Sequence, residues 1–491
     1  MDENVEQSNK TIGQMDDSSI DTEIETCRLR SGLNEDCLLK IMEFLNVYDL
    51  IQMCHLGAYY KDLITKWIIG KKMLNLRGMT QSAKDEIFEI FGQTMRKCII
   101  YESDFLNFLD TIIKYCAPGR LTQVELNLKQ PMAENAFLNT NYIPLSMPIL
   151  SNIRKFKLNV LRFQRYSSFD HFLNALLVNA TNLAYLHLFH VDIEGDWLKQ
   201  TNKLNLYELR ILKPCVISMT HLKIFLKSLP KLNTFTFKGD SDITSIGTSL
   251  VESCPNLEVF EDIHTATSYR RNTMSMRHTR YNFLASFNNL KIVTLTSYTF
   301  CGCDLYCALR YLATTNIVQL KIHANLEQSE TFNEEERKQI LQSCSFSHFT
   351  SLTCLELDVH NYRLDGLLHC EFLMLFATQL KNLEKFSLQS SKLTNINKLI
   401  ETLPQIRTFS ISQITTKHLP VEMRKIVRTL RAIRQTSDMY EDKVVLRLIV
   451  NIEQWRELQV YKDIAKLTET IVDPFLEPYN HFRRCPSEIE S

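Results

Sequence analysis

Glycine is scarce in this chain: 12 of 491 residues, about 2.4%, against a usual ~7%. Phosphate-cradling loops, hairpin-rich sandwiches and barrels place glycine at tight turns, because φ > 0 is cheap only there. No G-x-G-x-x-G, G-x-x-x-x-G-K-[ST] or G-x-S-x-G occurs, so nucleotide binding and serine-hydrolase chemistry have no local support. An excess of charge is also lacking. The 56 basic and 56 acidic side chains balance and give no global steering toward nucleic acid or an anionic membrane. No apolar run approaches the ~20 residues that span a bilayer. The Met-Asp-Glu-Asn start has neither a basic nor an apolar signal region, so a secretory signal is not expected. Fourteen cysteines lie scattered from Cys27 to Cys485 without a framework. They read as reduced thiols packed as small apolar groups, and the expected compartment is cytosol or nucleus.

What is present is a hydrophobic fraction of 45%, enough for a large interior, and one recurring phrase. Residues 1–30 carry eight acids against three bases and read as a disordered acidic tail. From about Met95 the phrase apolar-x-x-apolar-x-apolar takes over. It appears as Leu121-x-x-Val124-x-Leu126, Ile153-x-x-Phe156-x-Leu158 and Leu183-x-x-Leu186-x-Leu188. Further copies start at Leu206, Leu232, Leu290, Ile317, Leu352, Leu383 and Ile406. A degraded copy at Leu257 has Asp262 in the third apolar place, and Met95 begins a weaker first copy. Successive starts are 23 to 35 residues apart.

The last two apolar positions are two apart and so share one face of a short strand. Helical patterns lie between phrases: Phe105, Leu109, Ile112 and Ile113; Phe169, Phe172, Leu173 and Leu176; Leu222, Phe225, Leu226 and Leu229; Phe372, Leu373 and Phe376. One strand with one helix cannot bury its own apolar face, but stacked copies make a continuous core. The pattern resembles a leucine-rich-repeat solenoid. It implies an α/β array over residues 71–435 with parallel strands on a concave face and helices on a convex face. The Asn or Cys usual two residues past the last leucine is mostly missing, Asn325 being the clearest instance. A helix is expected over Val421–Arg434, and residues 436–491 are expected to form a C-terminal cap and tail, with a strand over Val444–Val450, a short helix over Trp455–Val460 and a loosely held end after Pro474.

Residues 31–70 have a different character. Asn34 with Glu35 and Asp36 behind it makes a helix start, and Leu38, Ile41, Met42 and Leu45 follow at helical spacing. Asn46 ends that helix and Asp49 begins a second. A third runs from about Ala58 to Trp67. Three such helices are too small to bury all their apolar groups, so a partner is expected to cover some of them. The stretch resembles an F-box, with matches at Leu33, Leu38, Leu39, Ile41, Phe44, Leu45, Asp49, Leu50, Leu56 and Tyr60. It departs from the pattern at Asn34, where proline is usual, and at Tyr60, where tryptophan is usual.

An F-box followed by leucine-rich repeats implies a substrate-recognition adaptor of an SCF-type ubiquitin ligase. The F-box would dock a Skp-type linker, and through it a cullin, while the repeats capture a protein substrate. Leu33, Leu38, Leu39, Ile41, Phe44, Leu45, Leu50 and Ile51 are then candidates for linker docking or for the packing that presents it. A leucine-rich-repeat interaction module acting outside a ligase is the alternative.

For the protein partner, alternate strand positions present Tyr185, His187 and Phe189, with Lys155, Lys157, Glu208, Arg210, Thr234, Thr236 and Lys238 on neighbouring strands. Gln319, Lys321, His323, Glu356 and Asp358 follow later. Aromatics flanked by charge match the make-up of binding hot spots; a solvated sheet face is the bland alternative. A second candidate is the acid-free stretch between Ile263 and Asn289, with Arg270, Arg271, Arg277 and Arg280, suited to an acidic or phosphorylated segment. Cys301, Cys303, Cys307 and His323 lack the second closely spaced pair that zinc sites use. His264 and Cys254 form no nucleophile–base set. No cofactor, metal, nucleic acid or membrane is expected.

Overall fold

The computed structural model describes residues 34–102, 105–129, 142–161, 169–199, 203–213, 216–238, 243–263, 281–297, 308–325, 349–360, 379–390, 406–412, 428–429, 432, 444–450 and 472–478. The chain divides into two compact units. The first comprises Met1–Phe156, Val160–Tyr166 and Val178–Asn182; the second comprises Lys157–Asn159, Ser167–Leu177 and Leu183–Ser491.

The first unit opens with three helices. In α1 (Glu35–Phe44) the Asn34 side chain caps the start by accepting from the Cys37 N–H at 2.8 Å, so asparagine takes over the start that proline pre-sets elsewhere. Asn46 does the same for α2 (Val47–His55), accepting from the Asp49 N–H at 3.1 Å. The second helix therefore begins two residues before the expected Asp49, which sits in its first turn as an acid facing the positive helix end. The third helix, α3 (Ala58–Leu63), runs into a π-helical turn over Ile64–Ile68. Met42, Leu50, Ile51, Leu63, Ile64 and Ile68 fill the interior of this module.

Alternating strands and helices follow. The first unit contains β1 (Met73–Asn75), α4 (Gln81–Phe91), β2 (Lys97–Glu102), α5 (Phe105–Tyr115), β3 (Gln123–Leu128) and α6 (Tyr142–Leu150). Next come β4 (Lys155–Val160) and α7 (Asp170–Asn179). In the second unit are β5 (Tyr185–Phe189), β6 (Glu208–Leu212), α8 (Met219–Leu226), β7 (Thr234–Lys238), α9 (Thr244–Ser253) and β8 (Val259–Ile263). After these come β9 (Ile292–Ser297), β10 (Gln319–Asn325), β11 (Cys354–His360), β12 (Lys385–Ser390), β13 (Thr408–Ser412), β14 (Val444–Val450) and β15 (Val472–Pro478). Strands β1 to β3 pair in parallel within the first unit. Strands β5 to β15 pair in parallel, each with the next, within the second. This is a parallel β-solenoid alternating with helices and preceded by three helices, an architecture of leucine-rich-repeat type.

From Met95 to Leu352 the phrases map onto the same geometry. The first apolar residue sits in the turn before a strand, and the strand's apolar residues point into the core: Leu121, Val124 and Leu126 are buried, as are Leu232, Phe235 and Phe237. The helical faces expected at α5, α7 and α8 are buried through Phe105, Leu109 and Ile112, through Phe172, Leu173 and Leu176, and through Leu222, Phe225 and Leu226. The pattern at Phe372, Leu373 and Phe376 lies outside the described residues. Where Asp262 replaces the third apolar residue it is fully buried, and Tyr281 donates its phenolic hydrogen to it at 2.8 Å.

Two features set the register. At strand after strand, two successive N–H groups donate to one carbonyl of the preceding repeat: Glu208 and Tyr207 to Ala184, Asn233 and Thr234 to Tyr207, Glu258 and Val259 to Asn233, Lys291 and Ile292 to Glu258. The residue just before the phrase adds a side-chain bond. Asn152 donates to the Gly119 carbonyl at 3.0 Å, Asn289 to Pro255 at 3.3 Å and Asn382 to Thr350 at 2.6 Å. At these three repeats an asparagine ahead of the phrase ties the turn to the turn one repeat earlier.

Gly247 stands where no side chain fits. A Cβ on Gly247 of α9 would lie 2.4 Å from the Phe283 ring, whose edge packs against Phe260 with centroids 5.6 Å apart. At the C-terminus, β14 and β15 extend the ladder through the segment expected to act as a cap. Pro474 and Pro478, in the tail expected to be loosely held, lie in the last strand. An outermost strand tolerates proline because its free edge needs no donor.

Candidate functional site

Alternation along a strand sends one set of side chains to the helices and the other to the open face of the sheet. In β5, Leu186 and Leu188 are buried, while Tyr185, His187 and Phe189 are half-buried on the open side. The register sets Tyr185 beside Glu208, His187 beside Arg210 and Phe189 beside Leu212. Thr234, Thr236 and Lys238 come next on β7. Four of the candidate residues, Tyr185, His187, Phe189 and Arg210, are therefore brought together on one surface.

Glu208 joins the two strands. His187 Nε2 lies 2.8 Å and Arg210 Nε 2.5 Å from the same carboxylate oxygen. The His187 and Glu208 side chains are 14% and 15% exposed, against 38% for Arg210. The hydrogen bond from His187, helped by the charge and hydrogen bond of Arg210, overcomes burial and holds the Glu208 carboxyl down at about 2. One anion thus fixes the direction of an imidazole and a guanidinium.

Aromatic rings stand at both ends of this polar centre. Tyr185 and Tyr207 have centroids 6.1 Å apart, and Tyr207 is exposed. Phe189 meets the His190 ring edge-on at 4.3 Å, and Lys213 Nζ lies 6.0 Å from the Phe189 centroid, at the limit of a cation–π contact. His190 and Lys213 have φ of +56° and +49° and are the non-glycine residues with positive φ among those described. They occupy equivalent places, since Phe189 and Leu212 before them are register partners. The His190 N–H donates to the Leu212 carbonyl at 2.9 Å and the Lys213 N–H to the Lys238 carbonyl at 2.5 Å. A left-handed residue other than glycine costs of order 1–3 kcal/mol and persists where its surroundings over-determine it. Here the ladder bonds supply that constraint.

From β7 onward the open-face side chains engage one another. Thr234, Thr236 and Thr294 are buried, Thr236 Oγ1 donates to Glu261 at 2.7 Å, and Lys321 pairs with Glu356 at 2.5 Å. Lys155 and Lys157 on β4 are half-buried. Gln319, His323 and Asp358 occupy the same alternation on β10 and β11, with His323 beside Asp358 in register.

The N-terminal candidates divide by burial. Leu38, Leu50 and Ile51 pack inside the three-helix module, and Leu39 and Leu45 are half-buried. Ile41 is 44% and Phe44 90% exposed; three apart on α1, they share one face of that helix. Tyr48 on the following helix and Leu56 at its C-terminal cap are 49% and 69% exposed; neither was among the docking candidates, although Leu56 matches the motif. Leu33 lies outside the described residues, as do Arg270, Arg271, Arg277 and Arg280.

Among the described residues, no group of three or more His, Cys, Asp or Glu could hold a metal ion, and no helix is long and apolar enough to cross a membrane. Cys254 is fully buried, and burial pushes its thiol up to about 12, which removes the thiolate a nucleophile needs. Cys301, Cys303, Cys307 and His264 lie outside the described residues.

Sequence reasoning missed Lys213, His190 and Tyr207. A signal for the first two existed only in the register, which sets the residues after Phe189 and Leu212 side by side at the strand ends.

No family model and no curated protein matches this chain. Among solved structures, the crystal structure of a TLR13–ssRNA13 complex aligns over 85% of this chain and 63% of that one, at 11% identity and a TM-score of 0.32. The chain thus spans less than two thirds of the length of that protein.

Proposed function

We propose that this chain is a leucine-rich-repeat protein-interaction module, a non-catalytic scaffold whose open sheet face holds a protein partner. The observation that carries this reading is the cluster of Tyr185, His187, Phe189 and Arg210 on adjoining strands, in which Glu208 orients His187 and Arg210. Pre-oriented aromatic and arginine side chains lose little freedom on binding and dominate interface energetics. The test is proximity labelling in cells with the chain and its Tyr185→Ala/Phe189→Ala variant. Partners lost in the variant support the reading; an identical set of partners overturns it.

A second reading has its own observation. Phe44 and Ile41, at F-box-like positions on α1, are exposed large apolar side chains. They favour an adaptor of an SCF-type (cullin-RING) ubiquitin ligase in which this face docks a Skp-type linker and the repeats present a substrate. Ubiquitin transfer would occur on other subunits, and this chain would supply proximity, raising the local concentration of substrate. Co-purification of the linker with the full chain, lost in Ile41→Asp/Phe44→Asp while thermal unfolding is unchanged, is the expected result. Retention of the linker by that variant, or its absence from the wild-type preparation, removes this reading and leaves the first standing.

A further inference from the structure

We infer that the open face of β5 and β6 receives an extended acidic segment of a partner protein: two apolar side chains four residues apart, with a carboxylate midway between them on Arg210. The inference rests on the interaction reading above and adds the chemistry of the occupant.

Spacing supplies the first part. Tyr185 and Phe189 are four residues apart on one strand, about 13 Å at ~3.3 Å per residue. A partner in extended conformation has the same rise, so its residues i and i+4 meet the two aromatic ends together. One end is Tyr185 with Tyr207; the other is Phe189 with His190.

Charge supplies the second part. Strands β5, β6 and β7 carry one carboxylate, Glu208, against Arg210 and Lys238, and Lys213 adds a third cation at the strand end. Glu208 is already matched by His187 and Arg210. Asp192, beyond β5, turns toward the backbone and accepts from the Val216 N–H at 3.3 Å. Asp240 and Asp242 follow Lys238 and lie outside the described residues. A guanidinium has five N–H donors in a planar fork. Glu208 takes the Nε–H, and among the described residues the terminal nitrogens of Arg210 make no hydrogen bond. Their direction is set, which suits a carboxylate approaching across the face. A lysine in the same place would meet Arg210 and Lys213 and be repelled.

The left-handed backbone of Lys213 separates binding from folding. Glycine adopts φ > 0 without strain, so Lys213→Gly removes the cation while relieving the backbone.

The experiment is selection from a random displayed 12-residue peptide library on the full-length protein, in parallel with the Tyr185→Ala/Phe189→Ala/Arg210→Gln variant. Enriched peptides are expected to carry Asp or Glu two residues from each of two apolar side chains and to be absent from the variant pool. A synthetic peptide of the enriched sequence should lose about tenfold or more in affinity on Arg210→Gln and several-fold on Lys213→Gly, whose thermal midpoint stays level or rises. Enriched peptides without an acid that still vanish from the variant pool overturn the acidic specificity and leave the interaction reading intact. The same peptides in both pools overturn both. A phosphoserine peptide that binds while its aspartate counterpart does not overturns the commitment to a carboxylate, as does an affinity unmoved by Arg210→Gln and Lys213→Gly together.

Discussion

Tyr281 donates its phenolic hydrogen to Asp262 at 2.8 Å, and both residues are buried. Asp262 occupies the third apolar position of a repeat, and the two residues bracket the stretch that holds the four arginines. The bond brings the ends of that stretch together and gives Asp262 Oδ2 a donor where the repeat pattern has no place for a carboxylate. Tyr281→Phe should therefore destabilise the second unit by about 1–3 kcal/mol, because it leaves a buried acceptor without its donor. Asp262→Leu/Tyr281→Phe together should recover most of the loss by restoring the apolar phrase. Chemical denaturation of the three proteins checks this, and a double variant no better than Tyr281→Phe contradicts it.

Glu208 makes stability depend on acid. Its folded carboxyl is held at about 2, below the ~4.3 of a free glutamate. A depressed folded value means the stabilisation is complete above the unfolded pKa and is lost as pH falls through the folded one. The window is from about pH 4.5 down to pH 2. A shift of this size corresponds to about 2–3 kcal/mol. Comparing wild type and Glu208→Gln at pH 6 and pH 3 isolates it: the stability gap should narrow at the lower pH. A gap that stays constant or widens would count against the His187–Glu208–Arg210 arrangement.

The first unit contains a buried ion pair. Lys84 Nζ lies 2.9 Å from Glu102 Oε1, with the two side chains 7% and 1% exposed, and it also donates to the Tyr101 carbonyl. Removing one partner strands a charge, so Glu102→Leu should cost about 3–5 kcal/mol. Lys84→Met/Glu102→Leu should return to within about 1 kcal/mol of wild type or exceed it. Thermal unfolding of both variants is the check.

The asparagines ahead of the phrases are expected to act independently, since they lie in different repeats. Asn152→Ala, Asn289→Ala and Asn382→Ala should each cost about 0.5–1.5 kcal/mol, and the costs should add. Denaturant titration of single and triple variants tests this, and a triple variant no less stable than the singles would deny the ladder its role.

The repeat was legible because two signals coincide on one strand, the period of two and the fixed step back to the first leucine. β1 escaped because Lys71 stands at that first position and only Leu74 and Leu76 remain of the phrase. α6 was hidden by Pro144 and Pro148, yet proline is tolerated in a first turn, and Pro148 comes near the end of its helix. The partner of Lys84 was invisible because Glu102 lies 18 residues away and reads as an ordinary strand end. At the candidate site, the aromatics stood out by composition alone. The left-handed turns at His190 and Lys213 did not, because that conformation is normally signalled by glycine or asparagine.

The shared carbonyl at each strand start makes the array insensitive to length elsewhere. Because Ala184, Tyr207, Asn233 and Glu258 each seat two amides of the next strand, alignment is renewed at every step rather than accumulated along the chain. Repeats of 23 to 35 residues from one phrase start to the next can coexist without the strands drifting out of step. A foreign segment spliced into the return half of a repeat should be accommodated there, whereas deleting one residue beside a shared carbonyl should disrupt the junction it serves. The same molecule is therefore permissive on one side and unforgiving on the other, and chimeras should be cut where the seams fall.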